Sequence, residues 1–179
     1  MAVTVPLAWA MGLVFTKCAI SDFPPILLMA FRFLLTALIL VAFTPLPRGN
    51  FFNLFLIAIV GAAIQYSLTF TGLLGLEAGI AAIIVQLEVP FLVMLGALLL
   101  GEKPGLRKWF GIGIAFCGII LMTWQGKFGA SLPSVGLVIG GAMAWAFGQV
   151  MVRRLKDISG LQVTAWVAVF ATPQLFLMS

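Results

Sequence analysis

Residues Gly79–Pro104 read GIAAIIVQLEVPFLVMLGALLLGEKP, and this stretch decides the fold class. It holds about 20 apolar residues, the length that an α-helix needs to cross a bilayer. Glu88 places a carboxylate near the middle, where an unpaired charge is costly. Pro90 removes one helix hydrogen bond beside that charge and predicts a kink. A polar group next to a broken helix near the midplane is typical of a binding site in a secondary transporter.

The composition places the whole chain in the membrane class. The 179 residues are 63% hydrophobic and 8% charged, with a mean hydropathy of +1.22. A soluble domain is nearer half apolar and a quarter charged. The net charge is +5, but the sequence offers no soluble face on which basic residues could form a patch. We therefore expect the protein to lie in the lipid bilayer and to have no nucleic-acid partner.

Apolar runs between charged or Pro/Gly-rich breaks predict an all-α membrane protein, a bundle of about seven transmembrane helices with no soluble domain. The predicted spans are about Val3–Ile20, Pro25–Phe43, Phe52–Leu74, the Gly79–Pro104 stretch, Lys108–Trp124, Ser134–Val152 and Leu161–Ser179.

The cations are distributed unevenly among the predicted loops. If the helices alternate in direction, seven of the ten Lys and Arg residues share one side: Arg48, Lys103, Arg107, Lys108, Arg153, Arg154 and Lys156. By the positive-inside rule that side is cytoplasmic, which places the N-terminus in the cytoplasm as well.

An internal repeat joins the first and sixth spans. Residues 8–17 (AWAMGLVFTK) match residues 144–153 (AWAFGQVMVR), with Ala, Trp, Ala, Gly and Val in register. The second copy comes five spans after the first, and an odd offset inverts it in the membrane, as in many alternating-access transporters. We therefore expect a first repeat of about five helices at 1–126 and the start of a second at 132–179. The second would be truncated after two helices, so we expect the chain to be incomplete.

Arg32 and Glu88 are the charged candidates for a site. Each lies eight or nine residues below the outer end of its span, so both sit roughly 12–14 Å deep. An ion pair between them would lower the cost of both charges. The functional interpretation is a gate or a clamp, with Glu88 holding an amine or exchanging a proton and Arg32 holding a carboxylate. The alternatives are a structural ion pair, or an Arg32 that reaches to the interface.

Uncharged candidates lie on three other spans. Gly61, Gln65, Thr69 and Gly72 share one narrow face of the third span. There Gln65 and Thr69 either line a cavity or bond a neighbouring helix. Trp9 and Trp145 lie well inside their spans and either wall a cavity or pack in the core. We predict a substrate or ion pathway formed by Glu88, Arg32, Gln65, Thr69, Pro90, Trp9 and Trp145.

Small residues predict close helix contacts. Gly136, Gly140, Ala144 and Gly148 follow each other at four-residue spacing in the sixth span, and Gly111 and Ala115 do so in the fifth. Packing within the bundle is the favoured interpretation, and a homodimer is the alternative. Residues 101–104, Gly-Glu-Lys-Pro, predict a helix stop on the cytoplasmic side.

The sequence contains no catalytic set. There is no His, no Cys/His pair, no pair of Asp residues in facing spans and no phosphate-binding Gly-Lys-Ser/Thr loop. We therefore expect no enzyme activity, no metal site and no cofactor.

In order and spacing, these motifs resemble the EamA domain of the drug/metabolite transporter superfamily. The resemblance rests on residues 7–17 and 24–33, on residues 79–91 and 100–103, and on residues 111–118 and 144–146. The Phe-Pro-Pro start of the second span resembles the O-acetylserine/cysteine exporter branch. The resemblance carries over Arg32, Pro90 and Glu102 as pattern positions, whereas Glu88 has no counterpart in the pattern.

The resemblance implies ten helices in two inverted repeats, a bacterial inner-membrane location and efflux of small metabolites, often amino acids. This chain departs from the pattern because it stops after seven spans. Our leading hypothesis is a secondary exporter of small amphipathic metabolites that works by alternating access. A sugar or nucleotide-sugar permease and a non-transporting membrane scaffold are the alternatives.

Overall fold

A computed structural model describes residues 24–124, 131–155 and 158–179. The first predicted span, with Trp9 and Lys17, lies outside the described residues. Of the predicted spans, the other six are each occupied by helix.

The helices begin and end close to the predicted bounds, and the described residues contain no strand. In chain order they are α1 (Pro25–Val41), α2 (Phe51–Ala58), a π-helical segment (Ile59–Ile64), α3 (Gln65–Leu74), α4 (Ala78–Val85), α5 (Glu88–Leu100), α6 (Leu106–Trp124), α7 (Leu132–Arg154) and α8 (Gly160–Met178). Within the described residues, four helical stretches are long and apolar enough to cross a membrane: Phe51–Leu74, Ala78–Leu100, Leu132–Arg154 and Gly160–Met178. The fold is therefore an all-α membrane bundle.

Local sequence signals set several helix ends. Pro25 occupies the first turn of α1, where a missing N–H costs nothing. The Ser131 and Ser159 hydroxyls cap α7 and α8 by accepting hydrogen bonds from the backbone N–H groups of Ser134 and Gln162, at 3.3 and 3.2 Å. Gly101 ends α5 in the left-handed conformation, at φ +68°. This confirms the predicted helix stop.

The long helix α7 is the centre of the described bundle. It packs against α3, the π-helical segment, α4 and α5, while α8 packs against α1 and α2. Its buried face is narrow and small, with Val138, Ala142 and Ala146 fully covered. Small side chains on this face allow the neighbouring helices to approach closely.

The predicted glycine row in α7 is only partly in contact. A Cβ atom at Gly136 would meet nothing within 4 Å, whereas Gly148 faces the backbone of Gly61. The contacts instead follow the face that carries Gly141, since α7 winds 3.6 residues per turn and a strict four-residue row drifts off it. In the fifth span, Gly111 faces open space, so its predicted close contact is absent.

The loops of the described chain alternate between two ends of the bundle. At one end the Pro45 carbonyl accepts hydrogen bonds from Gln162 Nε2 at 3.0 Å and Trp166 Nε1 at 3.1 Å. At the other end Gly75 lies against Ser134. Six described cations lie near helix ends at the Pro45 end, which we call the cationic end: Arg48, Lys103, Arg107, Lys108, Arg153 and Arg154.

Candidate functional site

The fourth span is broken where the sequence places its charge. Helix α4 ends at Val85 and α5 begins at Glu88. Between them the N–H groups of Gln86 and Leu87 donate to carbonyls three residues back, at 3.1 and 3.0 Å. The prediction placed the kink beside Glu88, and the break lies just before it. The reason is that the ring of Pro90 interferes with the carbonyl four residues earlier, which belongs to Gln86.

The break puts Glu88 at the start of a helix. Its carboxylate belongs to the first turn of α5, and its side chain is half-buried. The N-terminus of a helix carries partial positive charge, so it favours a negative group at this point. Pro90, buried in the same turn, lacks only an N–H that a helix start does not use. A carboxylate at a half-helix terminus inside a span is a feature of ion and substrate sites in transporters.

The predicted ion pair between Glu88 and Arg32 is not formed. Among the described residues the ion pair that forms is between Glu102 and Arg153. Arg32 lies exposed on α1, which packs against α8 and α3, whereas α5 packs against α7 and α6. The two helices that carry the charges are therefore not direct neighbours, although equal depth suggested that they would pair.

Tyr66 of α3, for which the sequence predicted no role, packs among other aromatic side chains. Its ring meets Phe33 edge to face at 5.3 Å and stacks on Phe70 at 5.7 Å. Phe33 belongs to α1, so Tyr66 lies where α3 packs against the helix that carries Arg32. The only sequence signal was a lone tyrosine following Gln65.

Gln65 and Thr69 share one face of α3, as predicted, and that face is buried. Their side chains are 5% and 6% exposed. Gln65 Oε1 and Thr69 Oγ1 have no hydrogen-bond partner, so neither oxygen bonds a neighbouring helix. The Thr69 hydroxyl lies against Gly141 of α7, where a Cβ atom would clash. Two unpartnered buried oxygens one helical turn apart are uncommon.

A π-helical segment directly precedes these two residues. Ile59–Ile64 interrupts the third span, and Gln65 is the first residue after it. Short π-helical segments inside α-helices occur often at functional sites, because they rotate the side chains that follow. Nothing in the apolar run IVGAAI signalled this segment. A further amide with no hydrogen-bond partner, Gln174 of α8, was also not predicted.

The remaining predicted pathway residue in the described chain is Trp145, which is half-buried on α7. Its counterpart in the repeat, Trp9, lies outside the described residues. The structure thus places Gln65 and Thr69 in the seam between α3 and α7, and it leaves Glu88 on α5 and Arg32 on α1 unpaired. Whether these side chains form the transport pathway stays a prediction.

Residues 1–124 match the EamA-like transporter family. The chain belongs to this family. Its membership confirms the resemblance on which the sequence-based assignment rested, while the O-acetylserine/cysteine exporter branch stays a prediction. The EamA match accounts for the membrane helices.

Relatives of this EamA chain include named transporters. It is 24% identical over its whole length to a "Probable amino-acid metabolite efflux pump" of Escherichia coli (strain K12), covering 62% of that protein. It is 27% identical to an uncharacterized inner membrane transporter of the same organism, over 88% of this chain and 53% of the relative. An uncharacterized transporter of Bacillus subtilis (strain 168) is 29% identical over 82% of the chain and 50% of its own length. No solved structure matches the chain.

The chain therefore spans about half to three-fifths of the length of these relatives. By family it is a chain of a multi-pass membrane transporter, and one of its relatives is named as an inner membrane transporter.

Proposed function

We propose that this EamA chain serves a secondary, non-enzymatic exporter of small metabolites such as amino acids, which works by alternating access in a bacterial inner membrane. The observation that carries the proposal is Glu88 at the break between α4 and α5. At this position the carboxylate lies at the N-terminus of α5 and next to the break in the fourth span.

The chemistry of the surrounding residues favours a zwitterionic solute. Glu88 supplies a negative group for an amine, and Arg32 supplies a positive group for a carboxylate. Because the two side chains do not pair with each other, both charges remain available to a ligand. Tyr66 of α3 and its neighbour Phe33 of α1 add an aromatic surface. An amino acid carries the two charges and the small apolar body that such a site would bind.

The name of the Escherichia coli relative, an amino-acid metabolite efflux pump, supports the same solute class. The orientation of the chain is part of the proposal. Six described cations at one end favour that end, and with it the N-terminus, as the cytoplasmic side.

Efflux of a panel of labelled amino acids from cells that express the full-length protein tests this proposal. We expect Glu88→Gln to abolish efflux of at least one amino acid at unchanged protein level. Glu77→Gln is the matched control, because Glu77 is an exposed carboxylate at the start of α4, outside the break. It should transport like the wild type.

Efflux that survives Glu88→Gln would return Glu88 to a structural role and move the search to Arg32 and Gln65. Absence of efflux from the wild type for every amino acid tested would contradict the solute class.

A further inference from the structure

Helices α5 and α7 are tied together at the cationic end by two consecutive arginines. Arg153 Nη1 donates to Glu102 Oε1 at 3.0 Å, and Arg154 Nη2 donates to the Leu99 carbonyl at 2.6 Å. Leu99 lies in the last turn of α5, where carbonyl groups have no helical partner and carry partial negative charge. Both contacts therefore join the end of one span to the end of another.

The Glu102 carboxylate is held in place by the turn that ends α5. Gly101 adopts a positive φ of 68°, and the Glu102 N–H donates to the Gly96 carbonyl at 3.2 Å. This turn folds the carboxylate back over Gly96, where a Cβ atom would lie 2.8 Å from Glu102 Oε2. Gly101 allows the turn, and Gly96 leaves space for the carboxylate. Together they direct the Glu102 side chain towards Arg153.

The ion pair between Arg153 and Glu102 is too exposed to contribute much to the stability of the fold. The side chains of Arg153 and Glu102 are 44% and 47% exposed, and ion pairs of this kind add little to folding. A weak, well-oriented contact suits a connection that opens and closes repeatedly.

The two partners belong to different repeats and are joined to the candidate site. Arg153 is the last residue of the second copy of the repeated motif, while Glu102 lies in the first repeat. Helix α5 runs without interruption from Glu88 to Leu100, just before Glu102, so it is a rigid rod about 20 Å long. Movement at Glu102 therefore changes the position of Glu88 at the other end of the rod.

We infer that Glu102 and Arg153, supported by Arg154 on the Leu99 carbonyl, form a latch that closes the cationic end of the bundle between the two repeats. The latch opens when the site becomes accessible from that end. This inference rests on the proposed alternating-access function, and accessibility rather than transport is the measurement that tests it.

The test measures labelling of a buried cysteine behind the latch. In full-length protein whose own cysteines are replaced by serine, Val150→Cys places a thiol on α7 one turn before Arg153, at a side chain that is 1% exposed. Labelling by a water-soluble maleimide is then compared with and without Glu102→Gln. We expect about a two- to fivefold increase, which is the population shift that an exposed ion pair can supply. Exchanging the charges, with Glu102→Arg and Arg153→Glu together, should return labelling towards the starting value.

Val135→Cys is the matched control. Val135 is buried on the same helix at the opposite end, with 7% exposure, and its labelling should not increase. If Glu102→Gln fails to accumulate in the membrane, Arg153→Gln gives the same comparison and leaves the Gly101 turn untouched.

Unchanged labelling at Val150→Cys in the neutral variants would overturn the latch. An equal increase at Val135→Cys, or no recovery in the charge exchange, would indicate general loosening and overturn it as well. A latch response in a protein that exports none of the amino acids tested would uphold this inference while the proposed solute fails.

Discussion

Gly61 and Gly148 bring the backbones of two helices into direct contact. A Cβ atom at Gly148 would lie 2.7 Å from the Cα of Gly61, and one at Gly61 would lie 3.3 Å from the Cα of Gly148. Neither contact can relax by moving a flexible side chain, because each involves backbone atoms. The crossing of the third span and α7 therefore depends on these two glycines.

We expect Gly148→Ala to destabilise the fold by about 1–3 kcal/mol, the usual cost of inserting atoms into a packed contact. Gly136→Ala on the same helix is the control, because its added methyl group meets open space. Alanine there should be neutral or stabilise by up to about 1 kcal/mol through helix propensity. Thermal unfolding of both purified variants measures the difference. Equal midpoints would show that the two helices do not cross at this point.

A substitution at Thr69 tests whether the buried polar face of α3 serves helix packing or lines the transport pathway. Its hydroxyl has no hydrogen-bond partner and lies against Gly141. Thr69→Val keeps the shape and removes no bond, so the free energy of unfolding should stay the same or rise by up to about 2 kcal/mol. A drop in stability would reveal a hydrogen bond that the fold requires.

The efflux of the same variant gives a separate result. Loss of efflux with intact stability would place Thr69 in the pathway, and unchanged efflux would assign it to packing between α3 and α7. Ser67→Ala is a suitable control, since Ser67 lies on the opposite face of α3, towards Met178.

The sequence predicted the helices well because hydropathy and the residues that start or stop a helix act locally. The runs around Pro25, Ser131 and Gly101 each contain their own start or stop signal, and the helices follow those signals within a few residues. Composition alone predicted the membrane class, and the apolar runs predicted the helices.

The site was less predictable because it depends on which helices become neighbours. Equal depth was a sound inference for Arg32 and Glu88, but depth does not determine adjacency, and the two do not pair. The role of Tyr66 arises only after α3 is placed against α1. Likewise, the apolar sequence of residues 59–64 gives no sign of the π-helical segment, because packing sets the backbone register there.

The orientation of the bundle is open to a direct experiment. Six of the seven described cations lie at the end that contains Lys103, whereas Glu77 lies at the opposite end, so the positive-inside rule predicts that Lys103 faces the cytoplasm. An impermeant maleimide applied to intact cells should label Glu77→Cys and spare Lys103→Cys in a background without other cysteines. Both positions are exposed, so access alone does not distinguish them. Labelling of Lys103→Cys in intact cells would mean the reverse orientation.

Pro90→Ala tests whether the break in the fourth span is needed for function. Alanine restores an N–H that can reach the Gln86 carbonyl, which now accepts from Val89 at 3.2 Å. We expect the helix to continue through Gln86 and Leu87, which removes the helix terminus from beside Glu88. Stability should hold or improve while efflux falls at least as far as in Glu88→Gln. Pro133→Ala, in the first turn of α7, is the control that changes a proline without closing a break. Full efflux from Pro90→Ala would show that transport does not need the break in the fourth span.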